Sequence, residues 1–433
     1  MKPKGLLIAV VVLAVLGGLV WWSNKKQAAV KPATDATVKI LSIPDDQFQD
    51  IRIKTVADLT IDLNRQNNKW TITQPKPLPA DQDAVSGMVS TLSSLNADKT
   101  VEDKAADLHP YGLDMPTLDV TIAKKDGKTV ELLIGDPTLD NAGYYAKLAG
   151  DPRVFTIASY AKTSLDKTPD ALRDKRLLTF DPDKIARVEL QSKGQTVEFG
   201  KNGQNEWQIV KPRPLRADST AVGGLVDKLR DAKFDNTETE ENAVKKFATA
   251  AKVATVVVTD AAGAQTLEIR QDKDKNYFAK SSVVEGAWKT SAETGDAFLK
   301  GLDEFRNKKL FDFGFSDPGK IELKGAAYAK TGDKWMSGAK TMDNATVQTL
   351  IDKLRDLAAT KFSEKGGGAP VFEATVTSND GKRVEKVTIS KQAAQYFATR
   401  AAEPSIYELE PAVVEDLQRV AAEVKEAAPE KKK

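Results

Sequence analysis

The chain repeats itself at long range. Trp70 is followed by Pro75-Lys76-Pro77-Leu78-Pro79-Ala80-Asp81, and Trp207 by Pro212-Arg213-Pro214-Leu215-Arg216-Ala217-Asp218. Trp70 to Trp207 and Asp81 to Asp218 are the same step of 137 residues. Tyr144-Tyr145-Ala146-Lys147 is answered by Tyr277-Phe278-Ala279-Lys280, and more weakly by Tyr396-Phe397-Ala398-Thr399. Such a period restricts the fold to stacked copies of one unit. It also sorts residues: those kept in each copy serve the shared fold before they serve any single site.

Composition narrows the function classes. Among 433 residues, 64 are basic and 62 acidic, a balance unlike the basic excess of nucleic-acid binders. Cysteine is absent, which excludes disulfides, thiolate metal sites and a cysteine nucleophile. Lys2 and Lys4 precede an uncharged apolar run from Leu6 to Trp22, closed by Trp21-Trp22 and followed by Lys25 and Lys26. As a helix this run would span about 26 Å, close to a hydrocarbon core of ~30 Å, with its aromatic end at the headgroups. It reads as an uncleaved signal-anchor over residues 1–22, with a tether at 23–39. The body is expected outside the cytoplasm, on the inner (cytoplasmic) membrane.

The body alternates between period-2 and period-3.6 patterns. Ile51-Ile53, Leu59-Ile61-Leu63 and Trp70-Ile72 predict half-buried strands, with Asn67-Asn68 as a tight turn. The proline block stops the strand. Asp81 then predicts a helix N-cap ahead of an apolar stripe at Val85, Met88, Leu92 and Leu95. Asp218 begins the same pattern with Val222, Leu225, Val226 and Leu229. Asp343 or Asn344 begins it with Val347, Leu350, Ile351, Leu354 and Leu357. Hairpins follow at Leu118–Ala123 with Thr129–Ile134, at Val253–Thr259 with Gln265–Arg270, and at Phe372–Thr377 with Val384–Ile389. The predicted fold class is α+β: three tandem repeats of antiparallel sheet packed with an amphipathic helix, behind one N-terminal transmembrane helix. The predicted boundaries are 40–180, 181–317 and a shortened third copy at 318–425. A charged tail, 426–433, is expected to be disordered.

Motifs for chemistry are sparse. His109 is the lone histidine, so a two-histidine metal site is excluded. No phosphate-cradling glycine loop is present. Asp272-Lys273-Asp274-Lys275-Asn276 opens like a calcium loop, but Tyr277 stands where that loop needs glycine. Ser159-x-x-Lys162 and Lys330-Thr331-Gly332 match two of three penicillin-binding-enzyme motifs, the Ser-Asp-Asn motif being missing. Ser159 also fits a helix cap, and Lys330–Gly332 a turn. The chain therefore reads as non-enzymatic, with no catalytic, metal or cofactor residues. Trp70, Trp207 and Trp335 are expected in the core. Tyr144, Tyr277, Arg173, Lys175 and Arg176 remain as candidate partner-binding residues, aromatic or cationic at repeated positions.

Together the N-terminal anchor, the Trp with its proline block, Tyr111-Gly112-Leu113, Gly143-Tyr144-Tyr145-Ala146 and Leu172-Arg173-Asp174-Lys175 resemble the family catalogued as domain of unknown function 4340. The resemblance covers most of residues 40 to 320. It implies a bacterial, membrane-anchored envelope accessory protein, one whose genes often neighbour those of an export-type ABC transporter resembling the gliding-motility system. It brings no catalytic residues. The expected function is thus a non-enzymatic envelope scaffold with a membrane-protein partner such as a transporter complex. The alternative is a cell-wall or surface glycan-binding module, and more distantly a serine–lysine hydrolase.

Overall fold

The computed structural model describes residues 38–401 and 403–428. The anchor at 1–22 and most of the tether and tail lie outside them. Among the described residues no helix is long and apolar enough to cross a membrane. The chain divides after Lys175 into two compact units.

The first unit holds one nine-stranded sheet. Its strands are β1 (Phe48–Thr55), β2 (Thr60–Gln66), β3 (Lys69–Gln74), β4 (Leu78–Pro79), β5 (Lys99–Glu102), β6 (Leu118–Lys124), β7 (Thr129–Pro137), β8 (Gly143–Leu148) and β9 (Val154–Ala158). Their order is β4-β3-β2-β1-β6-β7-β8-β9-β5, all pairs antiparallel. Two four-stranded meanders therefore meet at β1 and β6. The helix Gln82–Ser93 carries the chain from the β4 edge to the opposite β5 edge, across one face. Alternation decides that face: Ile51, Ile53, Ile61, Leu63, Val120, Ile122, Leu132 and Ile134 are buried against Val85, Met88, Val89 and Leu92 of the helix.

The second unit repeats this order twice, in sheets that begin with Arg187–Ser192 and Lys320–Leu323. Their crossing helices are Ser219–Asp231 and Asn344–Asp356. All three crossing helices start at the expected aspartates. Asp81 accepts from the amides of Asp83 and Ala84, Asp218 from Ala221, and Asp343 from Thr346, at 2.9–3.1 Å. Asp343 rather than Asn344 is the third cap. Replacing any one by alanine should cost about 1 kcal/mol in urea denaturation, and asparagine less, because asparagine keeps the accepting oxygen. The turns also form as read: Asn67 and Asn68 have φ of 50° and 61°.

The third repeat is shortened mainly between its fifth and sixth strands, and to a lesser degree between its seventh and eighth, which residues 393–394 join. Its sheet is complete, with strands Gln395–Arg400 and Ile406–Leu409 and a closing helix Pro411–Ala422 that the sequence reading left unassigned. The larger difference is the link between the fifth and sixth strands. In the first repeat it places Tyr111 edge-on to Tyr145 at 5.0 Å. In the second it forms the helix Glu240–Thr249, whose Ala243 and Phe247 cover Phe278. In the third it is Glu364–Gly368, lying against Phe397. Gly368 is required there. Its φ is +102°, and a Cβ would stand 2.0 Å from the Lys391 carbonyl oxygen.

The repeat boundaries fall earlier than the sequence pattern placed them. Leu177, Leu178 and Phe180 pack in the second core, and Leu310, Phe311 and Phe313 in the third. The reason is backbone pairing. Each incoming segment bonds to the residues just after its own crossing helix: Ile40 N to Leu95 O, Leu177 N to Ala232 O, Leu310 N to Leu357 O, at 2.8–2.9 Å. Each unit closes by a second pairing at its cap: Asp81 N to Leu172 O, Asp218 N to Phe305 O, Asp343 N to Lys425 O, again at 2.8–2.9 Å.

Candidate functional site

These pairings define where one repeat ends and the next begins. Within the second unit the closing bridge Ala217↔Arg306 is followed almost at once by the incoming bridge Lys309↔Ala358. Only Asn307 and Lys308 lie between. A link this short brings the second and third repeats edge to edge, and a charged seam fills the contact.

Arg216, beside the cap Asp218, reaches across the seam. Its guanidinium donates to Asp312 at 2.6 Å, to the Lys309 carbonyl at 2.8 Å and to the Tyr407 hydroxyl at 3.3 Å. Tyr407 donates to Glu403. Arg400 donates to the Leu310 carbonyl and, at 2.9 Å, to Glu385, which also accepts from the Asp312 amide. Arg383 of the third repeat donates to Glu206 of the second at 2.7 Å. Arg306 donates to Ser405 at 3.0 Å, and its guanidinium carbon lies 3.3 Å from the centre of the Phe362 ring. Two clefts open along this seam. One, of about 630 Å³, is lined by Trp207, Gln208, Ser219 and Arg383. The other, of about 660 Å³, is lined by Lys193, Arg306, Phe362 and Pro404.

The electrostatics follow from burial against pairing. Burial pushes the Asp312 carboxyl up, but Arg216 and the Asn307 amide outweigh it and hold it below the usual carboxylate range. Burial, then Glu403, pushes the Tyr407 hydroxyl well up. A carboxylate lowered on folding adds stability above its unfolded pKa of ~3.9 and loses it as pH falls through the lowered folded value. Asp312→Asn should therefore destabilise the second unit at pH 7. The gap from the unaltered protein should close below about pH 4, read by urea denaturation across a pH series.

Of the five residues singled out from sequence, Tyr144, Arg173 and Lys175 belong to the first unit and Tyr277 and Arg176 to the second. Tyr144 is half-buried, with the Lys162 ammonium 5.0 Å above its ring. Tyr277 is a core residue, 3 % exposed, so its ring is not offered to a partner. Its hydroxyl donates to Asp296 at 2.5 Å, and burial with that carboxylate pushes its pKa up to about 12. Arg173 lies in the closing bridge with Ala80 and Arg176 in the incoming bridge with Lys233. Lys175 pairs with Asp170 at 2.6 Å.

The remaining motifs have local duties. Ser159 is the first residue of its helix rather than its cap, and donates to the Ala142 carbonyl at 3.0 Å. Lys162 is tied to Asp166 at 2.5 Å. Lys330 pairs with Asp317, Gly332 turns the hairpin at φ +60°, and exposed His109 contacts Asp114. Asp272 folds its own loop by accepting from the Asp274 and Asn276 amides. Trp70 and Trp335 are buried, 4 % and 3 % exposed, whereas Trp207 is half-buried.

The sequence reading missed the seam. Its one legible trace was a break in the repeat: Arg216 stands where the first copy has Pro79. Glu385, Arg400, Glu403 and Tyr407 carried no motif, because their meaning depends on which strands lie side by side.

Comparison with known families agrees with the repeat. The model described as Domain of unknown function (DUF4340) matches residues 70–206 and again 207–366. Both matches begin at a repeated tryptophan, in the third strand of a sheet. The family's unit is thus phase-shifted from the nine-stranded unit and runs from one sheet into the next. No curated protein and no solved structure matches the chain. With more than half of its length matched in two consecutive copies, the chain belongs to the DUF4340 family.

Proposed function

We propose that this protein is a non-enzymatic scaffold of the bacterial envelope. Residues 6–22 anchor it, the three α+β units lie outside the cytoplasm, and it serves as an accessory to an ABC-type export complex. One observation carries the reading. The same sheet is built three times, and the residues shared between copies are caps, turns and core, as in a device that displays surface. The apolar run with its terminal tryptophans supports the anchor. The transporter association rests on the family's gene neighbourhood.

The test is extraction of the full chain from bacterial membranes in mild detergent, followed by mass spectrometry of what co-purifies. Recovery of transporter subunits in a stable ratio is the expected result. Release of the protein by alkaline carbonate without detergent would refute the anchor, and recovery of no membrane protein would refute the partnership.

A further inference from the structure

In a repeat protein, a position that departs from its counterparts inside a cleft deserves a reason other than the fold. Trp207 is such a position. In the first repeat Gln82, the residue after the cap, clamps Trp70 by accepting from its amide at 2.8 Å and donating to its carbonyl at 2.9 Å. In the third repeat Asn344 holds the same place, accepting from the Trp335 amide and donating to the Asp333 carbonyl. In the second repeat this residue is Ser219, whose side chain is one bond shorter than that of asparagine and has a single polar atom in place of an amide. Trp207 is correspondingly the half-buried member of the three, and it lines the 630 Å³ cleft with Ser219, Thr220, Gln204 and Gln208.

We propose that this cleft binds a glycan, seating one pyranose ring on Trp207. The chemistry of the lining points to a polyol. An indole face beside amide and hydroxyl side chains offers an apolar surface for the C–H face of a sugar, and donors and acceptors for its rim. Three ion pairs stand in the cleft, Arg383 with Glu206, Arg216 with Asp312 and Arg400 with Glu385, and Lys309, Lys382 and Asp218 line it as well, so cationic and anionic side chains nearly balance. They brace the walls and leave little net charge to draw a simple ion. Lys201 is half-buried, with its ammonium 5.2 Å from the Trp207 ring centre, where it can donate to a sugar hydroxyl. The site is independent of the proposed transporter association.

The test is calorimetric titration of the full chain, in a detergent without a sugar headgroup, with four tetrasaccharides: chitotetraose in its N-acetylated form, cellotetraose, maltotetraose and mannotetraose. At least one should bind. Trp207→Ala should weaken that binding by about tenfold or more, a loss of the size one stacking contact supplies. Ser219→Gln, which rebuilds the clamp of the first repeat, should do the same with an unchanged melting temperature. It serves as the readout if Trp207→Ala fails to fold. Absence of binding to all four sugars, or binding that survives Ser219→Gln, would overturn the proposal.

Discussion

Replacing Arg400 by methionine should destabilise the second unit by about 3–5 kcal/mol, because it strands buried charge. The Arg400 side chain is 10 % exposed, and its partners Glu385 and Glu403 are 5 % and 9 % exposed. Methionine fills much of the volume but leaves two carboxylates in a site with little water. The Leu310 carbonyl loses its donor as well. For a unit of this size the loss corresponds to a fall of about 10 °C in its calorimetric transition. Arg230→Met is the control. Arg230 sits on a solvent-facing helix surface with Asp227 and Asp231, so its removal should change stability by less than about 0.5 kcal/mol. Equal effects of the two substitutions would show that the seam is not a sealed ionic network.

Phe305→Ala should also cost about 3–5 kcal/mol, through a different mechanism. Phe305 is fully buried and meets Phe199 edge to face at 4.9 Å. Its carbonyl also accepts from the amide of the cap residue Asp218. Truncation thus opens a cavity beneath the closing bridge of the second repeat. Arg306, the next residue, holds Ser405 and Phe362 of the third repeat. Hydrogen exchange should accordingly speed up at the Asp218 and Asn307 amides as well as in the core. Loosening confined to the core would show that the closing bridge does not depend on this ring.

Much of the unit was legible because its signals are local. The caps at Asp81 and Asp218 need only a carboxylate ahead of an apolar stripe, and the Asn67-Asn68 turn needs only residues that tolerate positive φ. The two-residue strands Leu78–Pro79 and Leu215–Arg216 were not legible, since two residues have no period. The same holds for the helix Glu240–Thr249. It buries just Ala243 and Phe247, too few to mark an amphipathic stripe beside its many charges.

The candidate site divides in the same way. Tyr277 is a candidate because alternation assigns one ring of Tyr277-Phe278 to each face. In the folded chain both are buried, since the helix Glu240–Thr249 covers the second face at Phe278. The cationic run Arg173–Arg176 looked like a docking patch. Its counterpart Arg306–Lys309 holds neighbouring repeats together instead, through Arg306 on Ser405 and Lys308 on the Thr360 carbonyl.

By itself the sequence determined that one α+β unit is used three times, where the first two crossing helices begin and which side chains face the core. These follow from periodicity and short-range hydrogen bonding, which a linear pattern records. The tertiary structure alone decided the order of the strands, the repeat boundaries at the backbone pairings, the buried seam around Arg216 and Arg400, and the partial exposure of Trp207. Each of those depends on segments far apart in the chain lying side by side, and the 137-residue period fixes only that the copies are alike, not how neighbouring copies meet.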